Sequence, residues 1–271
     1  MKFTHAVVVK IPRTVKFEDK KTASKIDFEL ARKQQEDLND TLREAHVELV
    51  EIFPEENCAV HSLFVDDSVV FINGTALITR PKKGAATLAH LLPIVRELAW
   101  NVVETPQQEH GKTVVLEGSD VLFTGKEIFV GIRKNGTNTE GALVLARVFP
   151  EFSVVGIPIS SHNIPLKQSV SVAATDVLVV SKGKDSQAIL KRIERDATFR
   201  YKVLTVESDE ATNCINVNDH LIFRHDLNEM KFRVLQQPTE LWGVTIPEML
   251  KIGAPMSRFC LLLNKIKPGK V

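Results

Sequence analysis

Residues 120–158, DVLFTGKEIFVGIRKNGTNTEGALVLARVFPEFSVVGIP, decide the fold. Asp120 to Phe123 is a short run rich in β-branched and aromatic residues, Thr124-Gly125 is a turn, and Glu127 to Ile132 is a second such run. From Thr139 to Phe149 the apolar residues fall at helical spacing, and Ser153 to Pro158 returns to strand-like composition. The unit reads strand, strand, helix, strand.

Working outward, the same order recurs on both sides. Before it come Ser68 to Ile72, the hairpin signal Asn73-Gly74, Ala76 to Thr79, a helix near Thr87 to Trp100 and the strand Asn101 to Glu104. After it come Val170 to Ala173, Asp176 to Ser181, a helix from Ser186 to Asp196 and Lys202 to Val206. Then follow Cys214 to Val217, Leu221 to His225, a helix near Asn228 to Gln237 and Trp242 to Ile246. At the start of the chain stand His5 to Lys10, a helix over Asp27 to Ala45 and Val47 to Phe53; Phe259 to Lys265 completes that unit by pairing back with the first strand. No Gly-, Ser- or Pro-rich linker separates the units, so residues 1–271 are expected to form a single α/β domain. Five units of roughly fifty residues, each needing a neighbour to cover its apolar face, predict a pseudo-fivefold α/β propeller with a central channel.

Composition narrows the function. The 271 residues include 35 Lys and Arg against 34 Asp and Glu, a formal charge of +1, so no whole-protein field gathers phosphate backbones or anionic lipid. Neither nucleic acid nor membrane is an expected partner, and no apolar run approaches the length of a membrane span. Cys58, Cys214 and Cys260 lie far apart with no CxxC pair, which argues against a disulfide framework and a structural zinc site. Ala6 to Val9 is too short for a signal-peptide core, and a reducing, cytoplasmic setting is expected. His110-Gly111-Lys112-Thr113 imitates the tail of a phosphate loop, but Pro106 stands where that loop needs glycine and a strand-like run follows.

Two acidic strand entrances hold the chemistry. In Phe64-Val65-Asp66-Asp67-Ser68 two carboxylates precede an apolar strand, and at least one is expected to turn inward and need a cationic or donor partner. Leu116-Glu117-Gly118-Ser119-Asp120 repeats the device one unit later. Both fit either structural caps or a site for a cationic ligand facing the channel. Cys260 within Arg258-Phe259-Cys260-Leu261 fits a core thiol or a nucleophile, and His162 in its loop fits a solvated side chain or a proton carrier.

These stretches, with Thr75-Ala76-Leu77-Ile78-Thr79-Arg80-Pro81, Phe129-Val130-Gly131 and the closing Leu263-Asn264-Lys265, resemble the dimethylarginine dimethylaminohydrolases in order over nearly the whole chain. The resemblance implies the five-bladed pentein fold and a cytosolic enzyme that hydrolyses methylated arginine to citrulline and a methylamine without a cofactor or metal. It also implies a cysteine nucleophile, a histidine that moves protons, and carboxylates that hold the planar cation. Asp66, Asp67 and Glu117 fall on the family's acidic positions; Asp120 is kept and Ser119 replaces a glycine. The cysteine's place holds Arg258, with Cys260 two residues, or about 6.6 Å of strand, further on. The histidine's place holds Pro165; the two carboxylate-clamping arginines fall on Ala86 and near Gly136, and an aspartate falls on His61.

Two readings follow. In one the chain is a scaffold that has lost hydrolysis, its pocket filled by Arg258 against the acids, serving a small guanidino amino acid or a protein partner. In the other it is an active guanidine hydrolase with Cys260 as nucleophile, His162 as base, and Asp67 and Glu117 as clamps. Oligomeric state has no signal in the sequence.

Overall fold

A computed structural model describes residues 1–19, 25–82, 88–160 and 164–268. These fold into five separate three-stranded sheets and two two-stranded pairs, a mixed α/β architecture. Every three-stranded sheet has one plan: an inner strand runs antiparallel to a central strand, and the central strand runs parallel to an outer one. In the third sheet Val121–Phe123 pairs antiparallel with Glu127–Ile132, which pairs parallel with Ser153–Pro158. The second uses Val69–Ile72, Thr75–Ile78 and Asn101–Glu104. The fourth uses Val170–Ala174, Val177–Ser181 and Lys202–Val206, and the fifth Ile215–Val217, His220–Arg224 and Glu240–Val244. The first is built from both ends of the chain: Cys260–Leu263 lies antiparallel to His5–Val9, with His5 opposite Leu263, and Glu48–Ile52 runs parallel on the other side.

The parallel step requires a crossover, and helices supply it in four units. Phe28–Glu44 starts at Asp27, whose side chain accepts from the Leu30 amide at 3.1 Å, and buries Ala31, Leu38 and Leu42 against the first sheet. Leu88–Leu98, Thr139–Val148 and Lys184–Asp196 serve the second, third and fourth sheets. The fifth unit departs from expectation. Instead of an α-helix over Asn228 to Gln237 it has two 3-10 turns, His225–Leu227 and Lys231–Val234. Asn228 adopts a left-handed φ of 50°, and Glu229 uses its carboxylate to accept the amides of Glu207 and Lys231, so the backbone is tied into turns before a helix can propagate. The imitation phosphate loop is a hairpin, Gln108–Glu109 with Lys112–Thr113, turned by His110 and Gly111 at positive φ.

Successive sheets pack in chain order. Val70, Ile72 and Leu77 meet Val121, Ile128 and Val130, and Leu122 and Phe129 meet Val170, Leu178 and Val180. One cluster then joins the fourth, fifth, first and second sheets. Asn218 bonds the Phe3 amide and carbonyl, each at 2.8 Å, tying the fifth unit to the first; Asn73 and Asn264 exchange bonds of 2.9 and 3.0 Å between the second and first. The inner strands surround a cavity of about 210 Å³ to which every sheet contributes, among them Val69, Val121, Val172, Ile215 and Leu261. Among the described residues no helix is long and apolar enough to cross a membrane.

Candidate functional site

Asp66 and Asp67 sit in a 3-10 turn, Val65–Asp67, that enters the inner strand of the second sheet. In that turn both side chains go inward, where an extended strand would have sent one out: Asp66 is 7% and Asp67 9% exposed. Glu117 precedes the matching turn, Gly118–Asp120, at the entrance to the third sheet, and both Glu117 and Asp120 are buried. The two turns touch at Gly118, where any Cβ would run into the carbonyl of Asp66. The Ser119 amide then reaches Asp67 Oδ1 at 3.3 Å.

Four buried carboxylates in one place demand cations. Lys167 Nζ donates to Asp66 Oδ1 at 2.6 Å, from a one-turn helix, Leu166–Ser169, that begins after Pro165. Arg258 donates through Nη2 to Asp67 Oδ2, and its guanidinium lies 4.5 Å from the centroid of the Phe64 ring. Arg133 donates through Nε to both oxygens of Asp120, at 2.9 and 3.0 Å, and through Nη2 to Glu117. Asp120 additionally accepts the amides of Thr137 at 3.1 Å and Leu166 at 3.2 Å, so it anchors the loop after the third sheet's central strand and the start of the Lys167 helix.

Electrostatics follow from burial. Desolvation pushes Asp66 above the ordinary carboxylate range against the pull of Lys167, and does the same to Glu117 against Arg133. For Arg133 burial works against the charge, but Asp120 and Glu117 outweigh it and its pKa rises. Cys260 is 5% exposed and lines the cavity with Asp66 and Lys167; burial, then the charge of Asp66, pushes its thiol up to about 12. Cys214, on the same cavity, is likewise raised to about 12 by burial, whereas Cys58 lies apart in a two-residue strand.

The acids expected at the site are thus together, and Arg258 reaches them, but among the described residues its ion pair is with Asp67. Glu117 and Asp66 take cations that sequence reasoning passed over. Lys167 stood in plain view beside Pro165; Arg133 was hidden, its signal being the glycine three residues on. A Cβ at Gly136 would lie 2.5 Å from Arg133 Nε and Nη2, so the guanidinium fills the space a side chain would need. Nor are Arg258 and Cys260 two steps along one strand: Arg258 belongs to a 3-10 turn, Met256–Phe259, and the strand starts at Cys260. His61 faces Glu18, Nε2 to Oε1 at 3.6 Å, and meets Phe64 edge-on. His162 and Ala86 lie outside the described residues.

No family model matches the chain. Human DDAH2 is 29% identical over 277 residues, covering 96% of this chain and 94% of that protein, and bovine DDAH2 is 28% identical over the same shares. The N(G),N(G)-dimethylarginine dimethylaminohydrolase of Streptomyces coelicolor is 34% identical over 140 residues, half of this chain. Among solved structures, the dimethylarginine dimethylaminohydrolase of Pseudomonas aeruginosa, complexed with citrulline, superposes with a TM-score of 0.77 at 19% identity, over 97% of this chain and all of that one. The N-terminal domain of the cyanobacterial arginine dihydrolase ArgZ gives 0.76 at 15% identity over 98% of each chain. The chain is thus similar to DDAH2 from end to end, and it shares its fold with the solved dimethylarginine dimethylaminohydrolase and with the N-terminal domain of ArgZ.

Proposed function

We propose that this chain is a pentein that has lost the hydrolysis of methylated arginine and works as a binding or regulatory protein in the cytoplasm, without a cofactor. The observation that carries this reading is the occupancy of the acids: each carboxylate suited to hold a substrate cation already holds one of the chain's own, Lys167, Arg258 or Arg133. Loss of the nucleophile fits with it. With a pKa of about 12, Cys260 is a thiolate in roughly one molecule in 10⁵ at pH 7, and Pro165 offers no group to accept a proton. We read the five sheets as the blades of a pseudo-fivefold propeller, supported by their common strand plan, their packing in chain order and the cavity that all five inner strands line. Its ligand is either a small guanidino compound or a protein partner.

Citrulline formation from asymmetric dimethylarginine, monomethylarginine and arginine, measured at high enzyme concentration beside Cys260→Ser, tests the reading. No turnover by the folded wild type is the expected result. Turnover that vanishes in Cys260→Ser would overturn it in favour of an active hydrolase with Cys260 as nucleophile and His162 as base.

A further inference from the structure

The turn after the third sheet's central strand, residues 133–137, is closed by the Arg133 amide on the Thr137 carbonyl at 3.0 Å and by the Gly136 amide on the Arg133 carbonyl at 3.3 Å. Asn135 is exposed in that turn, and the residue after it has no Cβ. The glycine is there for packing, since the Arg133 guanidinium fills the space a side chain at 136 would need. It has a chemical result as well. Nothing on residue 136 shields the Asn135 side-chain amide from the backbone nitrogen that follows it, and the two are held within one residue of each other, at the distance that closes a succinimide ring.

Two of the chain's own cations lie on these groups. Lys82 Nζ donates to the side-chain carbonyl, Asn135 Oδ1, at 3.4 Å, and Arg133 Nη1 donates to the main-chain carbonyl of Asn135 at 3.2 Å. The first meets the negative charge that grows on Oδ1 when a nucleophile adds to Cγ. The second meets the charge that spreads onto the main-chain oxygen when the Gly136 nitrogen gives up its proton. Electrophile and nucleophile of one ring closure are thus both polarised toward reaction. The other Asn-Gly pair of the sequence, Asn73-Gly74, is held differently. Its side-chain carbonyl accepts from a neutral amide, Asn264 Nδ2, at 3.0 Å, its main-chain amide donates to Asn264 Oδ1 at 2.9 Å, and both residues are fixed at positive φ in a hairpin.

We propose that Asn135 is a self-modification site of the folded protein. The Gly136 nitrogen loses its proton to hydroxide and attacks Asn135 Cγ, the Cγ–Nδ2 bond breaks, ammonia leaves, and a succinimide closes across residues 135 and 136. Water then opens the ring at one carbonyl or the other and leaves aspartate or isoaspartate, with nothing oxidised or reduced. The products differ in what they do to the acidic centre. Aspartate keeps the backbone and sets a carboxylate against Lys82. Isoaspartate routes the main chain through Cβ and Cγ, moves the carbonyl to which Arg133 Nη1 donates, and lengthens the turn that seats the guanidinium on Glu117 and Asp120. One of the three internal cations is thereby loosened with age, whether or not hydrolysis has been lost.

Incubation of folded wild type, Lys82→Met, Asn135→Gln and Asn135→Asp at mildly alkaline pH tests this, followed by peptide mapping and by methylation with a protein isoaspartate methyltransferase and S-adenosylmethionine. Lys82→Gln serves if the methionine variant does not melt cooperatively. The expected result is isoaspartate at position 135 of wild type, accumulating at least about tenfold faster than at position 73, where two hydrogen bonds must first break, and about tenfold slower once Lys82 no longer supplies a charged donor. Aged wild type should unfold at lower urea than fresh wild type and than Asn135→Asp, and repeated methylation, which converts isoaspartate to aspartate, should recover part of the difference. The proposal is overturned if position 73 reacts as fast as position 135, if a folded Lys82 variant keeps the wild-type rate, or if Asn135→Gln loses as much stability on ageing as wild type does.

Discussion

Arg133 reaches Glu117 and Asp120 only because position 136 carries no Cβ, and the dependence is strict enough to measure. Gly136→Ala should push the guanidinium off its acids and leave two buried carboxylates uncompensated, a loss of about 3–5 kcal/mol in urea unfolding. Arg133→Ala in the same background should add little, because the interaction it would remove is already gone. Cys260 and Cys214 give a second expectation at this scale. Both thiols are neutral at pH 7, so native protein should react with iodoacetamide at Cys58 first, and Cys260 should label only as denaturant opens the fold. What was legible at this scale was charge demand: Asp66, Asp67 and Glu117 could be identified as needing partners, and Arg258 as one. Which cation meets which acid was not, since Lys167 lies 101 residues from Asp66 and only the assembled sheets bring them together.

Turns, more than strands, build the site. Val65–Asp67 and Gly118–Asp120 are single 3-10 turns before inner strands, and their contact at Gly118 makes one acidic centre out of two sequence motifs. The expectation of at least one inward carboxylate at Asp66-Asp67 is met by both, because strand alternation holds for extended backbone and a 3-10 turn can send neighbours to the same side. The Asn-Gly turn signal held at Asn73-Gly74, both at positive φ, and the apolar pattern held for the strand, strand, helix, strand order in the first four units, the first taking its inner strand from residues 260–263. Helical spacing overreached at Asn228 to Gln237, where side chains bonding the backbone outcompeted helix formation. Between elements, Asn218 links the fifth unit to the first through the Phe3 amide and carbonyl and, at 2.9 Å, the Ala45 carbonyl. Asn218→Ala should therefore cost about 1–3 kcal/mol in urea unfolding and raise hydrogen exchange first in His5–Val9.

Across the whole molecule the buried acids set an unusual response to pH. Most carboxylates in folded proteins lose stabilisation on acidification; Asp66 and Glu117 bind their protons more tightly folded than unfolded, so their contribution is present below the ordinary carboxylate range and is lost as pH rises through their raised values. Replacing Asp66 with Asn removes one such titration. The stability of Asp66→Asn relative to wild type, from urea unfolding at pH 4 and at pH 7, should be more favourable at pH 7; an unchanged or reversed difference would mean that Asp66 is not held above its ordinary range. The repeated order of strands was readable in all five units, and that of helices in the first four, because these units share an apolar pattern, whereas the packing of sheet on sheet became visible only with coordinates.

The first sheet takes its inner strand from residues 260–263 and its other two strands from residues 5–9 and 48–52. On the ribosome, then, the four carboxylates and two of their counterions, Arg133 and Lys167, are made well before Arg258. Until residues 258–263 have been made, Asp67 lacks its guanidinium and Phe64 lacks the Phe259 ring it packs against, so the acidic site is completed only when this last strand joins the first one.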